Sequence, residues 1–557
     1  MKLHNKLKAL EDHVKDPRQR FECSGYDAET YFTSYLLLYN DSFEIEAING
    51  AIADEASSTE NTLRAEVRVG DYKFDGKGSE VTDVVPMTDN YLSMRNTLWE
   101  ISWPAFKSAQ EDYLEKCGGC VDSDQDIEVA SFTKMPPVRY RVEPDRKPKI
   151  DYESWKRFMK SASKKMGESP DVLNAKISLT VENICSLYVN SEGTSIVQHA
   201  EHYYLYMSAD AVAKGDGELL CSSRRHFTRD YSEIPSKRKI SDEISDMIKE
   251  LEELRNAPVQ KPGSFPAIFD PDVTGVLFHE IVGHRLEGER QDSEWEGDTF
   301  EGKIGKKVAP DFVNLVDNPA KRYIDDKDKD RVGLMGHYKY DSEGVKASNV
   351  VLFDKGVLRN YLTSRKPIGG YDVPPNGHGR CDGEEDPVGR MSNLIAYSST
   401  PLSPHDIRER LIEECAKQDK DYGLIFEGSS GGYTGTEDDF FKVFPDKTYR
   451  LYSRDCYDKE LKRQFRRGDV QLVRGVEITG TPLIMLNDLV GMGDDHVVWP
   501  GVCGAESGWV KVCCVAPSSV FSNMEINEKD ETSTPNPLPK PSTYMRKIAS
   551  RKGDDEK

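Results

Sequence analysis

The chain has 557 residues, of which 37% are apolar and 31% charged, the balance of a folded protein large enough for several domains. Its 75 basic and 97 acidic side chains give a formal net charge of −22, so a broad nucleic-acid-binding face is not expected. No segment reaches the roughly 18 consecutive apolar residues of a membrane span, and the N-terminus lacks the apolar segment of a secretion signal. We therefore expect a cytoplasmic protein.

The N-terminal 260 residues alternate between strand and helix patterns. The first 16 residues have the spacing of an amphipathic helix, and Asn49-Gly50 between apolar segments indicates a hairpin. We predict strands at 31–38, 42–51, 64–69, 175–189, 195–207 and 219–228, and helices at 91–117, 152–166 and 239–256. Three prolines and a glycine then interrupt residues 257–266, which predicts a linker and a domain boundary near 260.

The second region, 261–528, begins with an apolar helical stretch at 272–289. Further on we predict a hairpin at 350–361, a helix at 404–418, and strands at 423–450, 470–484 and 509–521. Residues 529–557 are polar and proline-rich, which predicts a disordered tail. The fold class is therefore α+β, with an N-terminal α/β domain of antiparallel strands and helices and a β-rich C-terminal domain carrying the 272–289 helix.

Two histidines frame a glutamate in that helix, in the segment HEIVGH at 279–284. Zinc peptidases commonly carry His-Glu-x-x-His, whose histidines lie about 40° apart around an α-helix. Here His279 and His284 lie five residues apart, which on an ideal α-helix is about 140° and too far for one metal ion. The pattern therefore predicts a widened, π-type turn, with Gly283 where such a distortion costs least.

A catalytic zinc site needs three protein ligands and an open position for water, so two histidines are not enough. Composition and spacing leave several residues of suitable chemistry open as the third ligand: Cys503, Cys381, His378, His337, Glu287, Cys513 and Cys514. Glu280, next to His279, leans toward the same site and is the candidate general base.

Five segments resemble the TldD subfamily of the TldD/PmbA metallopeptidases, which carry a His-Glu-x-x-x-His motif. They are FHEIVGHRLEG at 278–288, NGHGR at 376–380, RMSN at 390–393, GLIFEGSSGGYTG at 423–435 and VCG at 502–504. The similarity spans most of 260–525 and, more loosely, the strands of 25–80. Because the PmbA-like (TldE) subfamily lacks the metal motif and this chain keeps it, the chain resembles the active subunit type.

The resemblance implies a metallopeptidase with His279, His284 and Cys503 as metal ligands and Glu280 as the base that activates a metal-bound water. These ligands suit zinc, with iron as the alternative and one ion per chain. The implied substrates are small unfolded or extended peptides. The implied partner is a second copy of the chain or a PmbA/TldE-like chain, and neither direct nucleic-acid binding nor a membrane is implied.

The glycine-rich segments have two interpretations. They form tight turns, or they allow close approach to an extended peptide that pairs as an added strand. On the second interpretation Gly377, Gly379 and Arg380 bind substrate. Arg380 and Arg390 have the chemistry to stabilise an oxyanion or a peptide carboxylate, but a structural ion pair is the favoured role of both. His378 stands where a small polar residue is expected, and charged insertions at 325–331 and 383–387 depart from the family pattern. We expect these departures to affect which substrates the protein prefers and not the reaction that it catalyses.

Two other functions remain open. The first is a non-catalytic regulator or partner in a TldD/PmbA-type complex, of the kind described as a modulator of DNA gyrase; such a chain would be expected to lose Glu280 or a histidine, and neither is lost. The second is redox or metal sensing through Cys117/Cys120 and Cys513/Cys514. The lack of a second Cys-x-x-Cys pair argues against it.

Overall fold

The computed structural model describes residues 3–16, 28–86, 88–123, 129–142, 150–292, 299–324, 332–437 and 439–529. The charged insertion at 325–331 and, beyond residue 529, the predicted tail lie outside the described residues. Within these ranges no helix combines the length and the apolar composition needed to cross a bilayer.

The first half of the chain forms one large sheet. Its elements are α1 (His4–His13), β1 (Thr30–Ile48), β2 (Ala51–Gly70), β3 (Asp75–Thr82), α2 (Tyr91–Ser123), β4 (Arg139–Arg141), α3 (Tyr152–Gly167), β5 (Val172–Asn190), β6 (Ser195–Val212), β7 (Leu219–Thr228), a 3₁₀ turn (Tyr231–Glu233) and α4 (Lys237–Asn256). The strand order is β3-β2-β1-β5-β6-β4, with β7 also pairing with β6. All pairs are antiparallel except that of β4 with β6.

Side chains alternate between the two faces of the sheet along each strand, and each face contacts a different part of the chain. On β1, Tyr35, Leu37, Ile45 and Ala47 point to one face, where the helices pack against them. The opposite face meets the second half of the chain, where Tyr188 packs beside Gly344. Helices therefore cover one face of the sheet and the second half of the chain covers part of the other, while residues 51–60 of β2 lie largely exposed.

The hairpin at Asn49-Gly50 is confirmed, with positive φ angles of 48° and 91° at the two residues. The prediction of two short strands before it was wrong, because β1 is one strand of 19 residues. Its polar residues Asn40 and Asp41 stay paired with Glu60 and Thr59 of β2, so the loss of apolar alternation there does not end the strand.

The second half contains most of the strands. Its elements are β8 (Gly263–Phe269), α5 (Pro271–Phe278), a π turn (His279–Gly283), 3₁₀ turns (His284–Leu286 and Gly288–Asp292), β9 (Val313–Asp317), β10 (Tyr323–Ile324), β11 (Val332–Gly333), β12 (Val350–Asp354), β13 (Val357–Leu358), β14 (Gly379–Arg380), β15 (Val388–Gly389), β16 (Asn393–Ser398), α6 (Pro404–Lys417), β17 (Tyr422–Gly435), β18 (Phe440–Tyr452), β19 (Cys456–Asp458), β20 (Arg463–Phe465), β21 (Val470–Val473), β22 (Val476–Gly480), α7 (Pro482–Asp488), β23 (Leu489–Met492), β24 (Val497–Ala505), β25 (Gly508–Ala516) and β26 (Ser519–Glu528).

Two sheets enclose the α5 helix. One has the order β13-β12-β9-β16-β25-β24, and the other has the order β17-β8-β26-β22-β18-β21 and closes on itself because β17 also pairs with β18. Helix α5 contacts β17 on one side and β24 and β25 on the other. Its residues from Val273 to Phe278 are all buried, so an apolar helix at this position is stabilised from both sides.

The α+β class is confirmed, and two local predictions were wrong. The linker was predicted to extend to residue 266, but β8 begins at Gly263 and pairs with β26 and β17. The segment predicted as strand at 470–484 forms two strands, β21 and β22, the second of which ends at Gly480, and Pro482 begins α7, where Met485 and Leu486 are buried. A domain boundary near 260 stays a prediction.

Two carboxyl groups, Asp341 and Glu343, lie buried where the halves of the chain meet. Asp341 accepts a hydrogen bond from the backbone N–H of Gly379 at 3.0 Å, and Glu343 accepts one from that of Arg365 at 2.7 Å. Burial raises the pKa of Asp341 to about 7. Burial and the charge of Asp341 raise that of Glu343 to about 8.

We expect Glu343→Gln to weaken the pH dependence of stability. The folded-state pKa values exceed those of the unfolded chain, so the stability that these groups contribute is present below about pH 4 and is lost as pH rises through 7 to 8. At about 1.4 kcal/mol per pKa unit, pKa values raised in this way should make the wild type lose several kcal/mol of stability between pH 5 and pH 8. The variant keeps an acceptor for Arg365 and should be the more stable protein at pH 8. Denaturant unfolding at both pH values measures this, and a variant that is equally destabilised at both would contradict it.

Candidate metal centre

The helix that carries the two histidines widens where the sequence requires it. Helix α5 ends at Phe278, residues His279–Gly283 form a π turn, and His284 begins a 3₁₀ turn. The centroids of the His279 and His284 rings lie 4.9 Å apart with an interplanar angle of 87°. The predicted π-type turn is confirmed, and it brings the two imidazoles to the same side of the helix.

Gly283 has a helical backbone, so its role differs from the one expected. A Cβ atom there would overlap the Sδ atom of Met391, which fills the space beside the turn. The glycine is needed for this close packing, because any side chain would displace Met391.

Cys503, on β24, completes a compact cluster with the two histidines. One ligand atom from each residue lies within 4.8 Å of the others, and the Cys503 Sγ to His284 Nε2 distance is 3.2 Å. All three side chains are buried. Within the described ranges this is the one group of three or more histidine, cysteine or acidic side chains with metal-ligand spacing.

The other candidate third ligands occupy different positions. Glu287 lies behind His284, with its Oε1 3.3 Å from Nδ1, and the Cys514 Sγ lies 3.5 Å from the Nδ1 of His279. Glu287 therefore contacts the ring nitrogen of His284 that faces away from Cys503, and Cys514 contacts the Nδ1 of His279. These contacts are typical of the groups that orient metal-binding imidazoles.

The remaining candidates lie away from the cluster. Cys513 accepts a hydrogen bond from the N–H of Met335, His378 lies between Asp317 and Asn376, the Nδ1 of His337 lies 2.8 Å from the carbonyl of Pro319, and Cys381 packs against the first sheet.

Charge favours the thiolate form of Cys503. Burial alone would raise the pKa of its thiol, but His284 and His279 lower it well below the usual value. Burial likewise disfavours the charged form of His284, yet Cys503 and Glu287 raise its pKa well above the usual value. By contrast, burial raises the pKa of Cys514, which keeps that thiol protonated. Of the two cysteines beside the histidines, Cys503 is therefore the one whose charge state favours binding a cation.

Glu280 lies next to the cluster and is buried, and burial raises the pKa of its carboxyl group against the lowering effect of His279 and His284. Its backbone carbonyl accepts a hydrogen bond from Arg285, whereas its carboxylate has no hydrogen-bond partner among the described residues. Gly432 of β17 packs directly over it, since a Cβ atom there would lie 2.7 Å from the Glu280 Cγ. The carboxylate is therefore shielded from water and makes no hydrogen bond to another described residue.

The three residues predicted to bind substrate lie around β14. Gly377 packs against the carbonyl of Lys346, and the N–H of Gly379 bonds to Asp341. The guanidinium of Arg380 donates to the carbonyl oxygens of Lys511, at 2.8 Å, and of Met391. The structure does not bring these residues into the cluster of His279, His284 and Cys503, and their substrate role stays a prediction.

Sequence reasoning did not identify the contacts of Glu287, Cys514 and Gly432 around the cluster. Glu287 accepts hydrogen bonds from Arg290 and Arg390, and after the opposing effect of burial its neighbours His284, Arg290 and Arg390 lower its pKa to about 2. The one signal in the sequence was the position of Glu287, three residues after His284. Cys117 is a free cysteine, and the side chain of Cys120 lies outside the described residues.

The chain is similar to known metallopeptidases over the segment that contains the two histidines. The PmbA/TldA metallopeptidase C-terminal domain family matches residues 262–450, which include the histidine helix and β17. A metalloprotease of Methanothermobacter thermautotrophicus is 28% identical over 346 residues, covering 61% of this chain and 67% of that protein. A zinc metalloprotease TldD homolog of Saccharolobus solfataricus is 24% identical over 360 residues, covering 61% of this chain and 73% of that protein.

The fold is shared with solved structures over most of the chain. TldE from Thermococcus kodakarensis has a TM-score of 0.60 and 16% identity, covering 93% of this chain and 99% of that chain. A Thermotoga maritima protein described as a proposed modulator of a DNA gyrase has a TM-score of 0.63 and 16% identity, covering 89% of this chain and 96% of that chain. These likenesses concern the fold. The family match over residues 262–450 and the relatives named as metalloproteases show that this chain is similar to the TldD/PmbA metallopeptidases.

Proposed function

We propose that this protein is a metal-dependent peptidase that hydrolyses small unfolded or extended peptides. In this proposal His279, His284 and Cys503 bind the metal ion and Glu280 is the general base. The observation that carries it is the buried cluster of two imidazoles and one thiolate within 4.8 Å, beside a buried carboxylate that has no other described partner. The match of residues 262–450 to a metallopeptidase domain family supports the same reaction class.

The ligand set fits zinc, with iron as the alternative and one ion per chain. Two imidazoles and one thiolate are a known combination in catalytic zinc sites, which use three protein ligands and leave a position open. The Saccharolobus relative is named as a zinc metalloprotease, which favours zinc. When bound, the ion would polarise the scissile carbonyl and lower the pKa of a water molecule in the open position.

Glu280 would take the proton of the attacking water and deliver it to the leaving amine. Its burial supports this role, because a carboxyl group whose pKa is raised toward neutrality is a better proton acceptor and donor at neutral pH. His284 is held in one orientation by Glu287 and His279 by Cys514, so the ligand nitrogens keep a fixed direction while Glu280 exchanges its proton.

Two strands beside the cluster have edges available to an extended peptide. β24, which carries Cys503, is the end strand of its sheet, and among the described strands residues 428–435 of β17 pair with β18 alone. The Nε1 of Trp499 donates to the carbonyl of Ser429 at 3.2 Å, so the two strands approach each other at one end. A peptide added along either edge would be recognised by its backbone, which favours unfolded substrates over folded ones.

Gly432→Ala is expected to reduce peptide hydrolysis by about tenfold or more without loss of metal, because its Cβ would displace Glu280 from the position it now holds. The kcat/KM for an unfolded peptide and the metal content of the purified protein measure the two effects. Ser430→Ala on the same strand is the control, since the Ser430 side chain is exposed and bonds to the carbonyl of Phe444. A Gly432→Ala enzyme with wild-type kcat/KM would contradict the proposed position of the base.

The alternative proposal is a non-catalytic regulatory subunit. The fold likeness to TldE and to a protein described as a proposed gyrase modulator motivates it, and it predicts assembly with a PmbA/TldE-like chain. A homodimer is the other expected assembly. Metal analysis and digestion of an unfolded peptide by the purified protein, alone and with a TldE-like partner, separate the two functions. Bound metal without hydrolysis in either sample would favour the regulatory role.

A further inference from the structure

Arg390 is a fully buried arginine between Cys503 and Glu287. An arginine side chain has five N–H groups, and all five are matched here by acceptors within hydrogen-bond distance. Nε donates to Glu287 Oε1 at 3.1 Å, Nη1 to Ser507 Oγ at 2.7 Å and to the carbonyl of Gly508 at 3.2 Å, and Nη2 to the carbonyl and the Sγ of Cys503 at 3.0 and 3.2 Å.

The carboxylate that Arg390 contacts is the one that contacts His284. Glu287 is completely buried, its Oε1 lies 3.3 Å from the His284 Nδ1, and its Oε2 accepts from Arg290 at 2.8 Å. The His284 Nε2 in turn lies 3.2 Å from the Cys503 Sγ. A closed ring of contacts therefore joins four residues: Arg390, Glu287, His284 and Cys503. The guanidinium of Arg390 contacts the sulfur of Cys503 directly, and it reaches the imidazole of His284 through the carboxylate of Glu287.

Burial of the guanidinium excludes a direct role in binding substrate. Arg390 has no exposed surface, and its donors are all committed to protein acceptors, so none is left for a peptide carboxylate or a developing oxyanion. The guanidinium can therefore act only on the two proposed ligands that it contacts directly or through Glu287, which are Cys503 and His284.

We propose that Arg390 is a positioning residue of the metal centre, which holds the thiolate of Cys503 and the imidazole of His284 in one geometry and reduces the charge that the sulfur donates to the ion. The inference rests on the ligand set of the proposed function. A hydrogen bond to a metal-bound thiolate weakens its electron donation, as groups around metal ligands generally tune the ion. The ion would then keep more of its positive charge for polarising a carbonyl group.

This role needs the planar guanidinium group of arginine, which the ammonium group of lysine cannot replace. The Nε and Nη2 groups point in different directions, toward Glu287 and Cys503, while an ammonium group is a single point of charge on a flexible chain. Arg390→Lys therefore keeps the positive charge but not the simultaneous contact with both groups, which makes it the informative variant.

The experiment measures metal binding by Arg390→Lys through competition with a chelator, using zinc, and records the absorption spectrum of the cobalt(II)-loaded protein. We expect zinc affinity to fall by about 10–100-fold, the range found when groups that orient metal ligands are removed. We also expect the thiolate-to-cobalt charge-transfer band to move to longer wavelength, because the sulfur becomes a stronger donor. A purely structural role for Arg390 would not move this band.

Arg450→Lys is the matched control. Arg450 is also almost fully buried and bonds to Asp458 at 2.8 Å and to Gln260 at 2.7 Å, none of which is a ligand or contacts one. Its zinc affinity and cobalt spectrum should equal those of the wild type. If Arg390→Lys does not fold, as judged by circular dichroism, the double variant Glu287→Gln/Arg390→Met replaces it. This variant removes the buried pair together and should show the same band shift.

A folded variant with wild-type zinc affinity and an unshifted band would overturn the positioning role of Arg390. That outcome is distinct from failure of the proposed function. If the wild type itself binds neither zinc nor cobalt, the ligand set is wrong and both proposals fall, whereas a metal-binding wild type with an equally competent Arg390→Lys overturns this inference alone.

Discussion

Glu280→Gln is expected to lower the kcat/KM for an unfolded peptide by about 10²–10⁴-fold while the metal content stays that of the wild type. Glutamine has nearly the same shape as the buried glutamate, so the packing of the π turn against Gly432 is kept. Its amide cannot accept the proton of the attacking water. The two quantities are measured on the same preparation, by peptide digestion and by elemental analysis.

Glu414→Gln is the control for this prediction. Glu414 is a buried glutamate on α6 paired with Lys417 at 2.7 Å, so its variant tests the loss of a buried negative charge outside the candidate centre. It should digest peptide at the wild-type rate. Full activity of Glu280→Gln would show that another group is the base. Loss of activity together with loss of metal would show instead that the carboxylate holds the ion.

Cys503→Ser has the second large expected effect, a loss of zinc affinity of about 100-fold or more and a matching loss of hydrolysis at limiting zinc. The serine hydroxyl stays protonated near neutral pH, so it cannot replace the thiolate that His284 and His279 stabilise. Chelator competition measures the affinity. Thermal unfolding with and without zinc provides a second measurement, because an ion that binds the folded state alone stabilises it.

Cys513→Ser is the matched control for that prediction. Cys513 is equally buried, but its sulfur accepts a hydrogen bond from the N–H of Met335 at 2.9 Å, an acceptor role that a serine oxygen can keep. Its variant should bind zinc as the wild type does. If Cys503→Ser retains wild-type zinc affinity while both proteins are folded, the third ligand is a different residue and the assignment of Cys503 fails.

Local sequence patterns predicted the elements whose signals lie within a few residues. Asn49-Gly50 fixed a tight hairpin because both residues tolerate positive φ, and α4 follows from apolar residues at helical spacing behind the N-cap Ser236. Two of the errors share one cause. The polar middle of β1 and the proline-rich start of β8 are strands because neighbouring strands pair with them, and an isolated segment carries no information about its partners.

The residue pattern alone predicted two histidines, a glutamate between them and a widened turn, because histidines five residues apart reach the same side of a helix only if the turn is widened. It left the third ligand open, and only a family resemblance pointed to Cys503. The tertiary structure shows which side chains surround the proposed ligands, namely Glu287 and Cys514 beside the imidazoles, Arg390 beside the Cys503 sulfur and Gly432 over the proposed base Glu280. The physical reason is that Cys503 lies 219 residues beyond His284. Helical periodicity relates residues one or two turns apart, whereas the folding of β24 and β25 against α5 depends on burial throughout the second half of the chain.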